Sequence, residues 1–367
     1  MNVPLLDLAA QYHSVESDLR AAIERVLASR IYILGPEAEA LERELAALCG
    51  ARFGVGVSNG SDAILTSLMA LGVGPGDEVI VPTFTFFATA GCVARTGARP
   101  VFVDILPETF NIDPDAAAAA VTPRTRAIIP VHLYGQCADM PRIKAIADRH
   151  GLAVVEDACQ AVGATLDGHG LAHWGHCATL SFYPTKNLSA IGEAGMVLTN
   201  DEQLAETLRC IRNHGQGKQY EHHLVGGNFR IAAIQAAALR AKLPRLTEWN
   251  AARRRHAALY DRALAGSAVT PPAVDPRCAH VYHQYTIRCD RRDALRARLS
   301  EAGIGSGIYY PLPLHLQPCF AHLGGRPGMC PVAEEACRQV LSLPVCPELS
   351  AAQLDYVCRT ILDFAGS

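Results

Sequence analysis

Between residues 53 and 199, short apolar runs alternate with stretches of helical periodicity. Runs at 53–57, 78–82, 100–104, 127–131, 153–156, 178–182 and 196–199 are each too short for a stable helix and are bounded by Gly, Pro, Asp or Asn, which predicts buried strands. Helices are predicted at 63–71, 89–96 and 140–150 between them. Upstream, Leu19, Ile23, Val26 and Leu27 share one helical face, and a second helix follows Gly35-Pro36 through Leu41, Leu45 and Leu48. A long helical region spans 235–264 and is interrupted by Pro244. Beyond it lie a strand at 284–289, a helix at 293–302, proline-rich turns at 311–318 and a last helix at 351–364.

This alternation predicts an α/β chain with a mostly parallel central sheet and helices on both faces. A large domain over residues 1–240 is expected, then a smaller C-terminal α+β domain over 241–367 that includes the linking helix. Ligands of such sheets gather beyond the carboxyl ends of the strands. Ser58, Thr83, Asp157 and Ser181 are all placed at strand ends by the predicted pattern.

Composition narrows the function classes. The 367 residues are 50% hydrophobic and 19% charged, which describes a soluble globular chain. A net charge of −3 offers no electrostatic basis for binding nucleic acid or an anionic membrane. No apolar run approaches a membrane span, and the first residues lack the basic and apolar regions of a signal peptide. The 13 cysteines are odd in number and include no CxxC, so free thiols in a reducing, cytoplasmic compartment are expected.

The most informative chemistry is the pairing of Lys186, in Ser181-Phe-Tyr-Pro-Thr-Lys-Asn187, with Asp157 at an upstream strand end. A lysine inside an apolar chain can lose basicity and form an imine, and a carboxylate can keep a pyridinium nitrogen protonated. Asn59-Gly60-Ser61-Asp62 reads either as a helix cap or as a phosphate site at a helix N-terminus. The glycines at 54, 56 and 60 are spaced one residue too widely for a dinucleotide fingerprint. Phe84 and Phe86 are either core or rings against a flat cofactor. Glu156 and Asp157 alternate along a strand and so point to opposite sides.

Other groups read more plainly. His169, His173 and His176 lie among glycines, and no metal is expected there. Arg253-Arg-Arg255 reads as a solvated face, Cys159 as a thiol without a basic partner, and 212–216 with 225–230 as a surface or binding loop.

Together these motifs resemble the DegT/DnrJ/EryC1/StrS family, pyridoxal-phosphate-dependent nucleotide-sugar aminotransferases of the aspartate aminotransferase fold. The resemblance runs nearly the whole chain, through Tyr32-Ile-Leu-Gly-Pro36, Asn59-Gly-Ser-Asp-Ala63, Gly74-Pro-Gly-Asp-Glu-Val79 and Pro130-Val-His-Leu-Tyr-Gly-Gln136. It continues through Glu156-Asp-Ala-Cys-Gln160, the Lys186 segment, Gly227-Asn-Phe-Arg230 and Tyr310-Pro-Leu-Pro-Leu-His315.

The resemblance implies that Lys186 carries pyridoxal 5'-phosphate as a Schiff base and Asp157 pairs with its ring nitrogen. Gln160 then bonds the ring hydroxyl and Phe86 stacks on the ring. Gly60, Ser61 and Ser181 hold the phosphate, with Asn228 from a second subunit, so a homodimer with shared active sites is implied. Arg230, Tyr309, Tyr310 and His315 fall where the family contacts sugar nucleotide. Departures lie at Tyr309, where relatives often carry histidine, at Ile231-Ala232 after Arg230, and at Gly192-Glu-Ala-Gly195.

The implied reaction passes an amino group from L-glutamate to a nucleotide-linked keto sugar, at C3 in preference to C4, in amino-sugar biosynthesis. The alternatives are a sugar dehydratase, which the presence of Lys186 disfavours, a non-catalytic regulatory protein, and a nicotinamide-dependent oxidoreductase.

Overall fold

The computed structural model describes residues 1–365. Its strands are β1 (Phe53–Val57), β2 (Glu78–Pro82), β3 (Arg99–Val103), β4 (Thr125–Ile128), β5 (Ala153–Asp157), β6 (Thr165–Leu166), β7 (Cys177–Ser181), β8 (Gly195–Thr199), β9 (Gln216–Lys218), β10 (Glu221–His222), β11 (Cys278–Ala279), β12 (Tyr285–Arg288) and β13 (Val340–Leu343). Its helices are α1 (Leu8–Ser29), α2 (Gly35–Cys49), α3 (Gly60–Ala70), α4 (Ala88–Arg95), α5 (Pro114–Ala119), α6 (Met140–His150), α7 (Glu202–Arg212), α8 (Ala233–Lys242), α9 (Leu246–Leu264), α10 (Arg292–Glu301), α11 (Pro331–Gln339) and α12 (Ala351–Ala365).

Seven strands form the central sheet in the order β1-β8-β7-β5-β4-β2-β3. β8 is antiparallel to both β1 and β7, while the remaining pairs are parallel. The carboxyl ends of β1, β2, β5 and β7 therefore share one edge. β2, β8 and most of β5 are buried on both faces, which explains their continuous apolar runs.

One apolar cluster packs Leu41 and Leu45 of α2 and Ile143 of α6 on one side of the sheet, with Ile80, Val154 and Leu180. A second packs Ile64 and Leu68 of α3 and Leu208 of α7 on the other, with Val79, Val81 and Val155. A third gathers Tyr260 of α9, β12, β13 and α12, and it includes Val3, which bridges to Ile304. The start of the chain thus packs with its last third.

Two expectations about helical faces change. Leu27 and Leu48 are exposed, because the buried stripe of α1 is Val15, Leu19, Ala22 and Val26, and α2 buries Leu41 and Leu45. Arg253 is not solvated: it lies on the buried side of α9 with 3% exposure, while Arg254 and Arg255 face out. Arg212, expected at the start of a loop, is the last residue of α7, and its guanidinium is buried against Glu42 and the carbonyl of Gly56.

Candidate active site

The turn from β1 into α3 places Asn59 as N-cap. Its Oδ1 accepts from the Asp62 N–H at 2.8 Å, and its carbonyl accepts from the Ala63 N–H at 3.0 Å. The N–H groups of Gly60 and Ser61 have no partner among the described residues, as expected of a first helical turn. The opposite wall is Ser181, at the end of β7. A Cβ on Gly60 would meet Ser181 Cβ at 2.6 Å, so only glycine lets helix and strand end approach this closely. Gly195 answers the same constraint, since a Cβ there would meet the Asn59 carbonyl at 2.3 Å.

At the end of β5, Asp157 is buried. Its Oδ2 accepts from the Thr89 hydroxyl at 2.8 Å and its Oδ1 from the Cys159 N–H at 3.2 Å. Glu156 points to the other face, where its carboxylate meets His132 Nε2 at 3.0 Å and the Gly175 N–H at 2.7 Å. Gln160 is held at both ends: its Oε1 accepts from the Tyr134 N–H at 2.7 Å, and its Nε2 donates to the Tyr310 hydroxyl at 3.1 Å.

Lys186 sits in the turn after β7, its N–H donating to the Tyr183 carbonyl at 2.8 Å. Burial pulls its amine below the ordinary lysine range, opposed by the fields of Cys159 and Asp157. Cys159 therefore does have a basic neighbour. Burial nonetheless pushes its thiol up, which leaves it a poor nucleophile. Next to Lys186, the Asn187 amide donates to Asn250 and to the Val281 carbonyl and approaches His283 Nδ1 at 3.3 Å, locking this turn onto α9. Burial and the charges of Lys186 and Arg253 hold His283 well below the usual histidine range.

Beyond these strand ends lies a cavity of about 820 Å³. It brings together Gly60, Ser61, Phe86, Asp157, Gln160, Ser181, Lys186, Tyr309 and Tyr310. Phe84 is core, whereas Phe86 is 56% exposed with its ring 6.3 Å from that of Tyr310.

Three expected residues lie elsewhere. Asn228 is exposed, and the Arg230 guanidinium donates to Asn213 Oδ1 at 2.6 Å; neither lines the cavity of its own chain. His315 is buried outside the cavity, between the Thr83 hydroxyl at 2.7 Å and Glu334 at 3.3 Å. In the sequence, Thr89 and His283 were assigned no role and Arg253 was placed on a solvated face. Thr89 carried no motif, and Arg253 was masked by its two exposed arginine neighbours.

His169 and His173 stack on each other at 3.8 Å, and His176 accepts from the Val154 N–H. Among the described residues no His, Cys, Asp and Glu group is arranged to hold a metal ion. No helix among them is long and apolar enough to cross a membrane.

The donor set fits a phosphorylated pyridine aldehyde. The Gly60 and Ser61 N–H groups with the Ser61 and Ser181 hydroxyls would hold its phosphate, the fixed Asp157 carboxylate would pair with its ring nitrogen, and Lys186, an amine of lowered basicity, lines the same cavity.

Residues 13–362 match the family model described as the DegT/DnrJ/EryC1/StrS aminotransferase family. The chain is 54% identical to a protein of Geobacillus stearothermophilus named a pleiotropic regulatory protein, over 99% of both chains. It is 45% identical to the UDP-N-acetyl-3-dehydro-alpha-D-glucosamine 3-aminotransferase of Acidithiobacillus ferrooxidans, over 98% of this chain and 97% of the other. The solved structure of S. venezuelae DesV with a ketimine intermediate superposes with a TM-score of 0.98 at 45% identity, covering 100% and 99% of the two chains.

Proposed function

The chain belongs to the DegT/DnrJ/EryC1/StrS aminotransferase family, and on that footing we propose that it transfers an amino group from L-glutamate to C3 of a nucleotide-linked keto sugar, with pyridoxal 5'-phosphate as cofactor. The observation that carries the reading is a single cavity holding Lys186, Asp157 and the Gly60–Ser61–Ser181 anion cradle. A relative named for 3-amination and a neighbour solved with a ketimine support the chemistry. The Geobacillus stearothermophilus relative bears a regulatory name; against a purely regulatory role stands the cavity that joins Lys186 to Asp157 and the Gly60–Ser61–Ser181 cradle.

Pyridoxal phosphate, when bound, supplies an aldehyde that condenses with amines and a ring that takes up the electron pair of a broken C–H bond. Gly60, Ser61 and Ser181 would hold its phosphate, Phe86 would cover a ring face and Gln160 would meet the ring hydroxyl. Asp157, fixed by Thr89 and Cys159, would stabilise a protonated ring nitrogen. Lys186 would have two tasks: to anchor the cofactor and, when its amine is free, to take the proton from the donor carbon at Nζ and pass it on to the cofactor. Its lowered basicity suits both. Tyr309 and Tyr310 would border the sugar.

The same reading makes the protein a homodimer, with Asn228 and Arg230 serving the cavity of a second copy. Exposed Val225 lies just before them in sequence, and exposed Ile31, Tyr32 and Ile33 belong to the segment that the Ile33–Ala232 bridge brings beside them. Mass spectrometry of 3-keto and 4-keto sugar nucleotides incubated with enzyme and glutamate tests the assignment. Amination of the 3-keto set alone is expected, and amination of neither set would overturn it. Light scattering reads the dimer.

A further inference from the structure

Arg253 is a buried cation in the wall of the active-site cavity with no anion assigned to it. Of the cationic side chains lining that cavity, Lys186 is the reactive amine, and Arg95 is half-exposed and shares its charge with Asp62 at 3.9 Å. Arg253 is 3% exposed and makes no ion pair within 4 Å among the described residues. Its Nη1 donates to the carbonyls of Tyr282 and His283, at 3.1 and 3.4 Å, which fixes the guanidinium plane. Its Nε is buried without a partner, and Nη2 makes no hydrogen bond.

A guanidinium carries five N–H donors, so most of its capacity here is unused. Burying such a charge unpaired is costly, and the site gains by receiving an anion. The carboxylate whose field reaches Arg253 is Glu348, but its own Oε2 is buried without a hydrogen-bond partner.

The surroundings restrict what that anion can be. Leu5, Leu6, Leu343 and Val345 line the cavity together with Arg253. This apolar lining suits a small, planar, two-oxygen group, which a guanidinium recognises in bidentate fashion. His283 links this wall to the chemistry, since the charges of both Arg253 and Lys186 act on it.

We propose that Arg253 binds a carboxylate of the amino donor and so makes the enzyme specific for amino-acid donors over simple amines. The assignment rests on the aminotransferase reading above and adds to it the residue that selects the donor.

Glutarate, a dicarboxylate that cannot react, is the probe. Calorimetric titration of wild-type holoenzyme should show binding, and Arg253→Gln should weaken it about 10- to 100-fold, the range for a hydrogen bond to a charged group. Arg253→Lys, which keeps the charge but not the fork, should fall between. Circular dichroism checks that each variant is folded. In parallel, bleaching of the visible band by glutamate should need correspondingly more donor in Arg253→Gln, with added methylguanidine restoring part of the loss. The KM for the keto sugar, measured from enzyme loaded with pyridoxamine phosphate, should stay within about threefold, well under the loss expected for the donor. Equal loss for donor and acceptor, or an unchanged glutarate affinity in folded variants, overturns the role of Arg253. If wild type aminates no sugar with any amino acid, the function itself fails instead, and the two failures are distinct.

Discussion

The hydroxyl of Thr89, near the start of α4, donates a 2.8 Å hydrogen bond to Oδ2 of Asp157 at the end of β5. Thr89 does not line the cavity; it acts behind the carboxylate. With the Cys159 N–H on the other oxygen, it fixes the orientation in which Asp157 meets the cavity. Thr89→Val removes that donor with little change of shape. The expected result is a roughly 10-fold fall in kcat, about 1.4 kcal/mol, with cofactor affinity nearly unchanged. Asp157→Asn should cost more, on the order of 100-fold or above in kcat, because it removes the charge itself. Steady-state kinetics beside a fluorescence titration with cofactor separates the two quantities.

Lys186→Ala should abolish the visible imine band on addition of pyridoxal phosphate, and glutamate should bleach that band only in wild type. Retained bleaching in the variant would rule out Lys186 as the anchoring amine.

The pH dependence follows from the lowered pKa of Lys186. Only the neutral amine captures the aldehyde, so the capture rate should rise with pH and level off below the ordinary lysine value of about 10.4. The unfolded chain binds more protons than the folded one between those two pKa values, so apoprotein stability should also rise with pH through that window. It should be lost again as pH falls through the folded pKa. Lys186→Met should remove the rise, as chemical denaturation across pH would register.

Gly60→Ala places a Cβ 2.6 Å from Ser181 Cβ in the anion cradle. Overpacking of about 1–3 kcal/mol should weaken pyridoxal-phosphate binding roughly 10- to 100-fold. Gly74→Ala, where a Cβ would meet nothing within 4 Å, serves as control and should bind normally. Equal affinities for the two variants would remove Gly60 from the cradle.

Arg212→Met strands Glu42, which is buried against it, and should destabilise the fold by about 3–5 kcal/mol in denaturant melts. Replacing Glu42 with Gln in the same chain should recover part of that loss, because the orphaned charge is gone.

Much of the large sheet was legible because its strands announce themselves locally. β1 and β2 fall at the expected residues, each an apolar run closed by turn-forming sequence. β13 was not legible: its four residues follow α11 directly, and its partner β12 lies far back in the chain. A strand that short is stabilised by a remote neighbour, not by its own propensity.

The amino-acid sequence by itself determined the alternation of strands and helices, the strand ends bearing Ser58, Asp157 and Ser181, and the lysine and cradle motifs, because these depend on local periodicity and turn chemistry. Tertiary structure alone decided that Thr89 braces Asp157, that Arg253 turns inward while its neighbours face water, and that His315 is tied between Thr83 and Glu334 outside the cavity. Each of those contacts joins segments distant in the chain. Which side of a helix is buried, and which charge is left without a partner, depends on what packs against it.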